Sequence, residues 1–278
     1  MRLLVSVVSA EEARRAVAGG ADIVDVKDPH EGALGAPAPG VLAEVVQAVG
    51  PRVAVSVALG DLPDLPHTAA LAARGAGLTG ASYVKVGLRG VSDVGRAVAM
   101  MGAVADAVTV GGDGVSVIAA AYADAAALDP PALAPAWLPD VVERTGITGA
   151  LVDTCVKDGR GLYGWVAESE LSELIARTRR AGAIFAVAGQ LRPGELCRVG
   201  ADVVGVRSAV CRDGDRTSEL RSELVAAAVA EVRAGARAQP ATITVPDGHD
   251  GHDGHGGPGR AGARTVTATP VRRTASGR

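Results

Sequence analysis

Aromatic side chains are nearly absent from this chain: they make up 2% of its 278 residues, with one phenylalanine, two tryptophans and three tyrosines. The core therefore has to be built from Ala, Val, Leu and Ile, and hydrophobic residues do make up 48% of the sequence. Small aliphatic side chains allow helices and strands to approach closely, as they do in layered α/β folds. The composition predicts one α/β domain.

The sequence also lacks a positive excess, because its formal net charge is -3 and its pI is about 6.0. Nucleic acids and anionic membranes both require a basic face. No apolar run reaches membrane-spanning length, and no signal-peptide pattern precedes the first predicted strand. The three cysteines are widely spaced, which indicates neither a disulfide framework nor a zinc site. We expect a cytoplasmic protein that binds small molecules, without nucleic acid, membrane or metal; self-association stays open.

Lysine is the scarcest charged residue, with three copies against twenty-five arginines. Compositional bias explains arginine on the surface, but it does not explain why Lys27, Lys85 and Lys157 all lie at or just past the carboxyl end of a predicted strand. Arginine stays charged at any accessible pH, whereas a lysine with a depressed pKa becomes a free amine that attacks carbonyls or moves protons. The placement predicts an amine-dependent enzyme.

Residues 1–238 repeat one pattern eight times: a β-branched run, a turn containing Gly, Asp or Pro, and an Ala/Leu-rich helical stretch. The predicted strands are 3–8, 23–27, 53–59, 83–87, 115–120, 150–153, 184–188 and 203–206. The predicted helices are 11–18, 41–49, 68–76, 91–108, 136–145, 168–180, 193–199 and 217–234. Strands that are apolar throughout are typical of parallel sheets, and eight such units close into a (β/α)8 TIM barrel.

A doubly wound open sheet is the alternative fold, but no G-x-G-x-x-G motif follows the first strand. Residues 239–278 change to Pro, Gly, Thr, Arg, Asp and His without apolar periodicity. Such a composition predicts a disordered tail. The expected organisation is a catalytic barrel over residues 1–238 followed by this tail.

Active sites of TIM barrels lie at the carboxyl ends of the strands, where strands of one parity contribute to one layer. Lys27, Lys85 and Asp153 end or nearly end predicted strands 2, 4 and 6, so we expect them to converge. Asp25 shares a strand face with Lys27, and Lys157 follows on the loop after strand 6. Carboxylates beside amines orient them and shuttle protons, and neighbouring ammonium groups lower at least one pKa. Structural ion pairs are the alternative, but they contribute little net stability.

Phosphate binding in these barrels usually involves the loops after strands 7 and 8. Here those loops contain Gly189, Gln190, Gly205, Arg207 and Ser208. Backbone N–H groups, one guanidinium and one hydroxyl are suited to a phosphate. These five residues are the predicted phosphate site.

Several longer motifs carry a family resemblance. They are GGADIVDVKDP at 19–29, GD at 60–61, YVKVGL at 83–88, DT and KDG within 153–159, and GVR with Cys211 and DR within 205–216. Together they resemble the (5-formylfuran-3-yl)methyl phosphate synthases of methanofuran biosynthesis. The chain departs from the family at Ala33, where serine is frequent, at Gln190, where a small residue is usual, and in the tail after residue 238.

The resemblance implies a TIM barrel that condenses two molecules of glyceraldehyde 3-phosphate into the furan phosphate, with loss of phosphate and water. It also implies that Lys27 forms a Schiff base and that Lys85 accepts a proton, with no organic cofactor. A class I-type aldolase or isomerase acting on sugar phosphates, and a non-catalytic sugar-phosphate-binding barrel, are the alternatives that product analysis and imine trapping separate.

Overall fold

The computed structural model describes residues 1–110 and 114–238, so the predicted tail at 239–278 lies outside the described residues. Eight parallel strands form a closed barrel in sequence order. They are β1 (Arg2–Val7), β2 (Ile23–Val26), β3 (Ala54–Asp61), β4 (Tyr83–Gly87), β5 (Ser116–Tyr122), β6 (Gly149–Asp153), β7 (Ile184–Val187) and β8 (Val203–Val206). The predicted TIM barrel is confirmed, and the open sheet is excluded because β1 pairs with β8.

Seven α-helices lie in the described part of the chain. They are α1 (Ala10–Ala18), α2 (Pro39–Val49), α3 (Pro66–Leu78), α4 (Val94–Thr109), α5 (Leu138–Thr145), α6 (Glu168–Arg180) and α7 (Ser222–Ala238). Helix α1 begins after Ser9, whose side chain accepts a hydrogen bond from the N–H of Glu12 and satisfies a donor that the helix leaves unpaired. No helix among these residues is long and apolar enough to cross a membrane.

The predicted helix at 193–199 is wrong, because this segment between β7 and β8 forms turns. Gly194 has a φ of +89°, and its N–H and that of Leu196 donate to the Glu231 carboxylate on α7. A long-range carboxylate thus takes backbone donors that a helix would otherwise use. The last helix also begins five residues later than predicted (217 against 222), since Cys211 and Leu220 form an antiparallel bridge before it.

Two layers of apolar side chains hold the barrel together. Outward-facing strand residues such as Val24 and Val26 are fully buried against the helices. Inward-facing residues fill the interior, where Ile23, Ile118 and Leu151 form a second cluster. Side chains alternate along each strand, so the valines of β2 face the helices while Asp25 between them faces the barrel axis. At the carboxyl end of the barrel, beyond this interior cluster, charged side chains line the interior.

Candidate active site

Five charged side chains meet at the carboxyl end of the barrel, around a central cavity of about 70 Å³. Asp25 and Lys27 come from the end of β2, Lys85 from β4, Asp153 from β6 and Lys157 from the loop after β6. The structure therefore brings together all five residues predicted for catalysis. Apart from Lys157, each is buried.

Lys85 and Asp25 form an ion pair at the base of this group. The Lys85 Nζ lies 2.7 Å from Asp25 Oδ1, and the Ser6 hydroxyl donates to Asp25 Oδ2 at 3.0 Å. Asp25 is completely inaccessible to solvent, so its carboxylate contacts protein groups alone. Lys85 Nζ and Asp25 Oδ1 are in ion-pair contact, but the angles between them are not those of a hydrogen bond.

Lys157 and Asp153 form the second pair, with 3.1 Å between Lys157 Nζ and Asp153 Oδ1. The Lys157 amine also donates to the carbonyl of Thr154 at 2.5 Å. Burial raises the pKa of Asp153, but Lys157, Lys27 and the Thr154 N–H outweigh it and hold that pKa below its ordinary value. Asp153 is therefore ionised, and it fixes the position of the Lys157 amine.

Buried Asp124, just after β5, anchors the loop that carries Lys157. Its carboxylate accepts the N–H groups of Cys155 and Val156 at 2.9 and 2.6 Å. Two charge-assisted hydrogen bonds from one carboxylate hold successive residues of the loop in place.

Lys27 differs from the other two lysines, because its amine forms no ion pair within the described residues. It donates to the carbonyl of Ala33 at 3.3 Å, and its side chain is 8% exposed. Burial lowers the pKa of Lys27 to about 8; Asp153 opposes this effect, and Lys85 adds to it by charge repulsion. About a tenth of this amine is thus uncharged at pH 7, and about half at pH 8.

The five residues predicted to bind phosphate also line the central cavity, on the side of β7 and β8. Gly189 has a φ of +112°, and a Cβ there would lie 2.9 Å from the Thr154 side chain. Gln190 adopts a φ of +50°, which is unfavourable for a side chain other than glycine, and its buried Oε1 lacks a hydrogen-bond partner in the described chain. This strained residue with an unpaired oxygen thus forms part of the lining of the central cavity.

Arg207 is already engaged by protein groups. Its Nη atoms bind both oxygens of the Glu12 carboxylate at 2.5 and 3.1 Å, Nη1 also reaches the Ser6 carbonyl, and Nε donates to the carbonyl of Arg216 at 2.8 Å. Arg216, which lines the same cavity, has a buried Nη2 without a partner among the described residues. Arg207 thus organises the segment from which Arg216 extends.

Four residues at this site have no role predicted from the sequence, namely Ser6, Ser56, Asp124 and Arg216. Ser56 is buried beside Asp25 and lines the cavity, and its hydroxyl is unpaired in the described structure. The signal for the first three was their position in or just after predicted strands. For Arg216 the only signal was its place in the family motif, because it lies ten residues after the end of β8 (206 to 216). No group of three His, Cys, Asp or Glu side chains suited to a metal occurs in the described ranges.

A closed barrel with three lysines and two carboxylates at its mouth defines a (β/α)8-barrel protein with a lysine-based site. Comparison with known sequences identifies the family within this class. A family model described as 4-HFC-P synthase matches residues 3–229, and the chain belongs to that family. The resemblance carried by the sequence motifs is therefore confirmed.

Relatives from methanogens match over almost their whole length. The (5-formylfuran-3-yl)methyl phosphate synthase of Methanosarcina mazei is 41% identical over 237 residues, covering 84% of this chain and 100% of the relative. The protein of the same name from Methanopyrus kandleri is 42% identical over 228 residues, covering 81% and 95%.

Solved structures agree with the fold. Orotidine 5'-phosphate decarboxylase from Pyrococcus horikoshii superposes with a TM-score of 0.54 at 17% identity, covering 83% of this chain and 99% of that one. At this identity, the likeness bears on the architecture alone.

Proposed function

We propose that the chain condenses two molecules of glyceraldehyde 3-phosphate into (5-formylfuran-3-yl)methyl phosphate through a Schiff base on Lys27. Atom balance requires the release of one inorganic phosphate and two molecules of water. These leave by cleavage of carbon–oxygen bonds, so the proposed enzyme is a carbon–oxygen lyase. The family membership and the relatives' names support this product. The substrate is the one that the resemblance of the sequence motifs implies.

The observation that carries the proposal is the state of the Lys27 amine. It is buried, has no carboxylate partner in the described residues and has a pKa of about 8. An uncharged amine attacks an aldehyde carbon, and loss of water gives the imine. The protonated imine then draws electrons from the neighbouring C–H bond. Proton removal there produces an enamine.

Lys85 and Asp25 form the proposed proton-transfer pair. When the Lys85 proton passes to Asp25 across the 2.7 Å contact, the freed amine takes the proton from the imine's neighbouring carbon. The enamine carbon then bonds to the aldehyde carbon of the second triose phosphate. The same pair returns the proton later, so the enzyme ends the cycle unchanged.

Lys157 and Asp153 are assigned to the elimination steps. The Lys157 ammonium, held 3.1 Å from Asp153, stabilises negative charge on a leaving oxygen or phosphate. Asp153 orients that ammonium and assists dehydration. A hydroxyl oxygen adds to the imine carbon and closes the ring, and the Lys27 amine is expelled from that carbon and restored. Each step relies on side-chain acid–base chemistry.

Incubation with glyceraldehyde 3-phosphate tests the proposal directly. We expect mass spectrometry to detect the furan phosphate and inorganic phosphate in equal amounts, with the ultraviolet absorbance of a conjugated furan aldehyde. A six-carbon sugar phosphate without phosphate release would instead identify an aldolase, and dihydroxyacetone phosphate alone an isomerase. Ligand binding with no new product would identify a binding protein.

A further inference from the structure

A second cavity, which we call the side cavity, adjoins the central one. It has a volume of about 280 Å³ and lies between the segment that leads from β2 to α2 and the segment that follows β8. Its lining residues are Val8, Lys27, Asp28, Pro29, His30, Pro37, Ala38, Val41, Arg207, Arg216 and Thr217. Lys27, Arg207 and Arg216 line both cavities, so these three residues lie where the cavities adjoin.

Arg216 is the arginine of the side cavity for which the described residues provide no ion pair. The Arg207 charge is matched by the bidentate contact with Glu12, whereas Nη2 of Arg216 is buried and unpaired in the described structure. Leaving a buried guanidinium donor unsatisfied is costly, and a phosphate oxygen is a strong acceptor for it. Arg207 donates a hydrogen bond to the backbone carbonyl of Arg216. This bond holds the backbone from which the Arg216 side chain extends.

Other groups around the side cavity are compatible with an anion. The Asp28 carboxylate accepts the N–H of His30 at 2.8 Å, so one of its oxygens is engaged by the backbone of its own loop. Helix α2 begins at Pro39 without a side-chain cap, and Ala38 and Val41 of this start line the cavity. The helix dipole there adds to the positive potential of Arg216.

Lys27 lines both the central cavity and the side cavity, so a ligand in either cavity lies beside this residue. A condensation of two triose phosphates brings two phosphate groups to one site, and the two adjoining cavities offer a separate place for each.

The geometry points to the side cavity as a second phosphate subsite, in which Arg216 anchors the phosphate group of one triose phosphate while the other occupies the central cavity. This inference rests on the proposed condensation. The exposed His30 and Thr217 border the side cavity, so inorganic phosphate released there has a route to solvent.

Binding of inorganic phosphate to the full chain tests the subsite without turnover. We expect Arg216→Gln to weaken one phosphate site by about 10- to 100-fold in isothermal titration calorimetry, the effect of losing charge-assisted hydrogen bonds. Arg212→Gln is the matched control, because Arg212 is exposed and pairs with Glu219 on the same segment. Equal phosphate affinity in both variants would overturn the inference.

A steric variant locates the site. Val41→Trp fills the side cavity from α2 and leaves every charge in place, and Ala43→Trp adds the same ring at an exposed position of that helix. We expect Val41→Trp to bind one phosphate fewer per chain than Ala43→Trp. The same stoichiometry in both variants means that no phosphate occupies the side cavity, which refutes the subsite.

The two proposals fail in different ways. If wild-type protein forms no furan phosphate but the phosphate titrations behave as described, the condensation is wrong and the anion site stands. If Val41→Trp forms the furan at the rate of Ala43→Trp, the condensation stands and the second subsite is wrong.

Discussion

Lys85 and Asp25 face each other at 2.7 Å in the barrel interior, while Lys27, two residues after Asp25, has no such partner among the described residues. The two lysines line one cavity but differ in electrostatic environment. Lys85 forms an ion pair with a carboxylate, whereas burial lowers the pKa of Lys27 to about 8. This difference is the structural basis for assigning the nucleophile and the proton acceptor to different residues.

Borohydride trapping locates the nucleophile. With glyceraldehyde 3-phosphate and borohydride, we expect substrate carbon on Lys27, identified by peptide mass spectrometry, and no adduct in Lys27→Arg. Arginine retains the charge but does not form the imine at accessible pH. An adduct on Lys85 or Lys157 in the wild-type protein would reassign the roles, and near-normal turnover of Lys27→Arg would exclude covalent catalysis there.

The Lys85→Arg variant keeps the positive charge at this position and removes the amine that transfers the proton. We expect trapping at Lys27 to survive and furan formation to fall by about 10²- to 10⁴-fold, the usual contribution of a positioned acid–base group. Arginine preserves a cation beside Asp25, and a thermal melt checks that the fold is intact. Parallel loss of trapping and turnover would show that Lys85 acts by tuning Lys27, and wild-type turnover would remove it from the mechanism.

Lys27→Met should stabilise the protein. The folded pKa of Lys27, about 8, lies below its ordinary value of 10.5, so the folded state disfavours the charged form. This penalty is full below pH 8 and is relieved as the pH rises toward 10.5. At pH 7 it is about 3 kcal/mol. We expect denaturant unfolding at pH 7 to give Lys27→Met a higher free energy of unfolding than wild type, with the difference shrinking above pH 8.

Lys85→Met is the contrasting variant. It leaves the Asp25 carboxylate, which has no solvent exposure, without its cation. Breaking a buried pair in this way costs about 3–5 kcal/mol. We therefore expect opposite signs for the same substitution at the two lysines. Destabilisation by Lys27→Met equal to that by Lys85→Met would show that the buried amine at Lys27 is compensated by contacts other than those described.

The pH dependence of imine formation reports the pKa of Lys27. We expect the initial trapping rate to rise through about pH 8 as the ammonium loses its proton. Because Asp153 raises the pKa of Lys27, Asp153→Asn should shift the midpoint to lower pH. Asp158→Asn serves as the control, since this carboxylate pairs with Arg160 at 2.7 Å and is not among the groups that set the Lys27 pKa. A shift to higher pH in Asp153→Asn would contradict the proposed electrostatics.

Local patterns predicted the elements that position the site. The strands Tyr83–Gly87 and Val203–Val206 and the helix Glu168–Arg180 have the predicted bounds, because apolar periodicity and flanking turn residues lie within each segment. Convergence of Lys27, Lys85 and Asp153 followed from strand parity in a closed barrel. The helix predicted at 193–199 failed because Glu231, more than thirty residues away, binds its backbone.

The sequence by itself determined the barrel, its family and the set of charged residues at the strand ends, since these depend on local pattern and on motifs. Tertiary structure alone decided how those charges pair. Arg207 was a predicted phosphate ligand, but folding places it against Glu12, 195 residues away, while Arg216 keeps a buried unpaired nitrogen. Which cation meets which carboxylate depends on loop paths and burial, and these arise only when distant segments pack together.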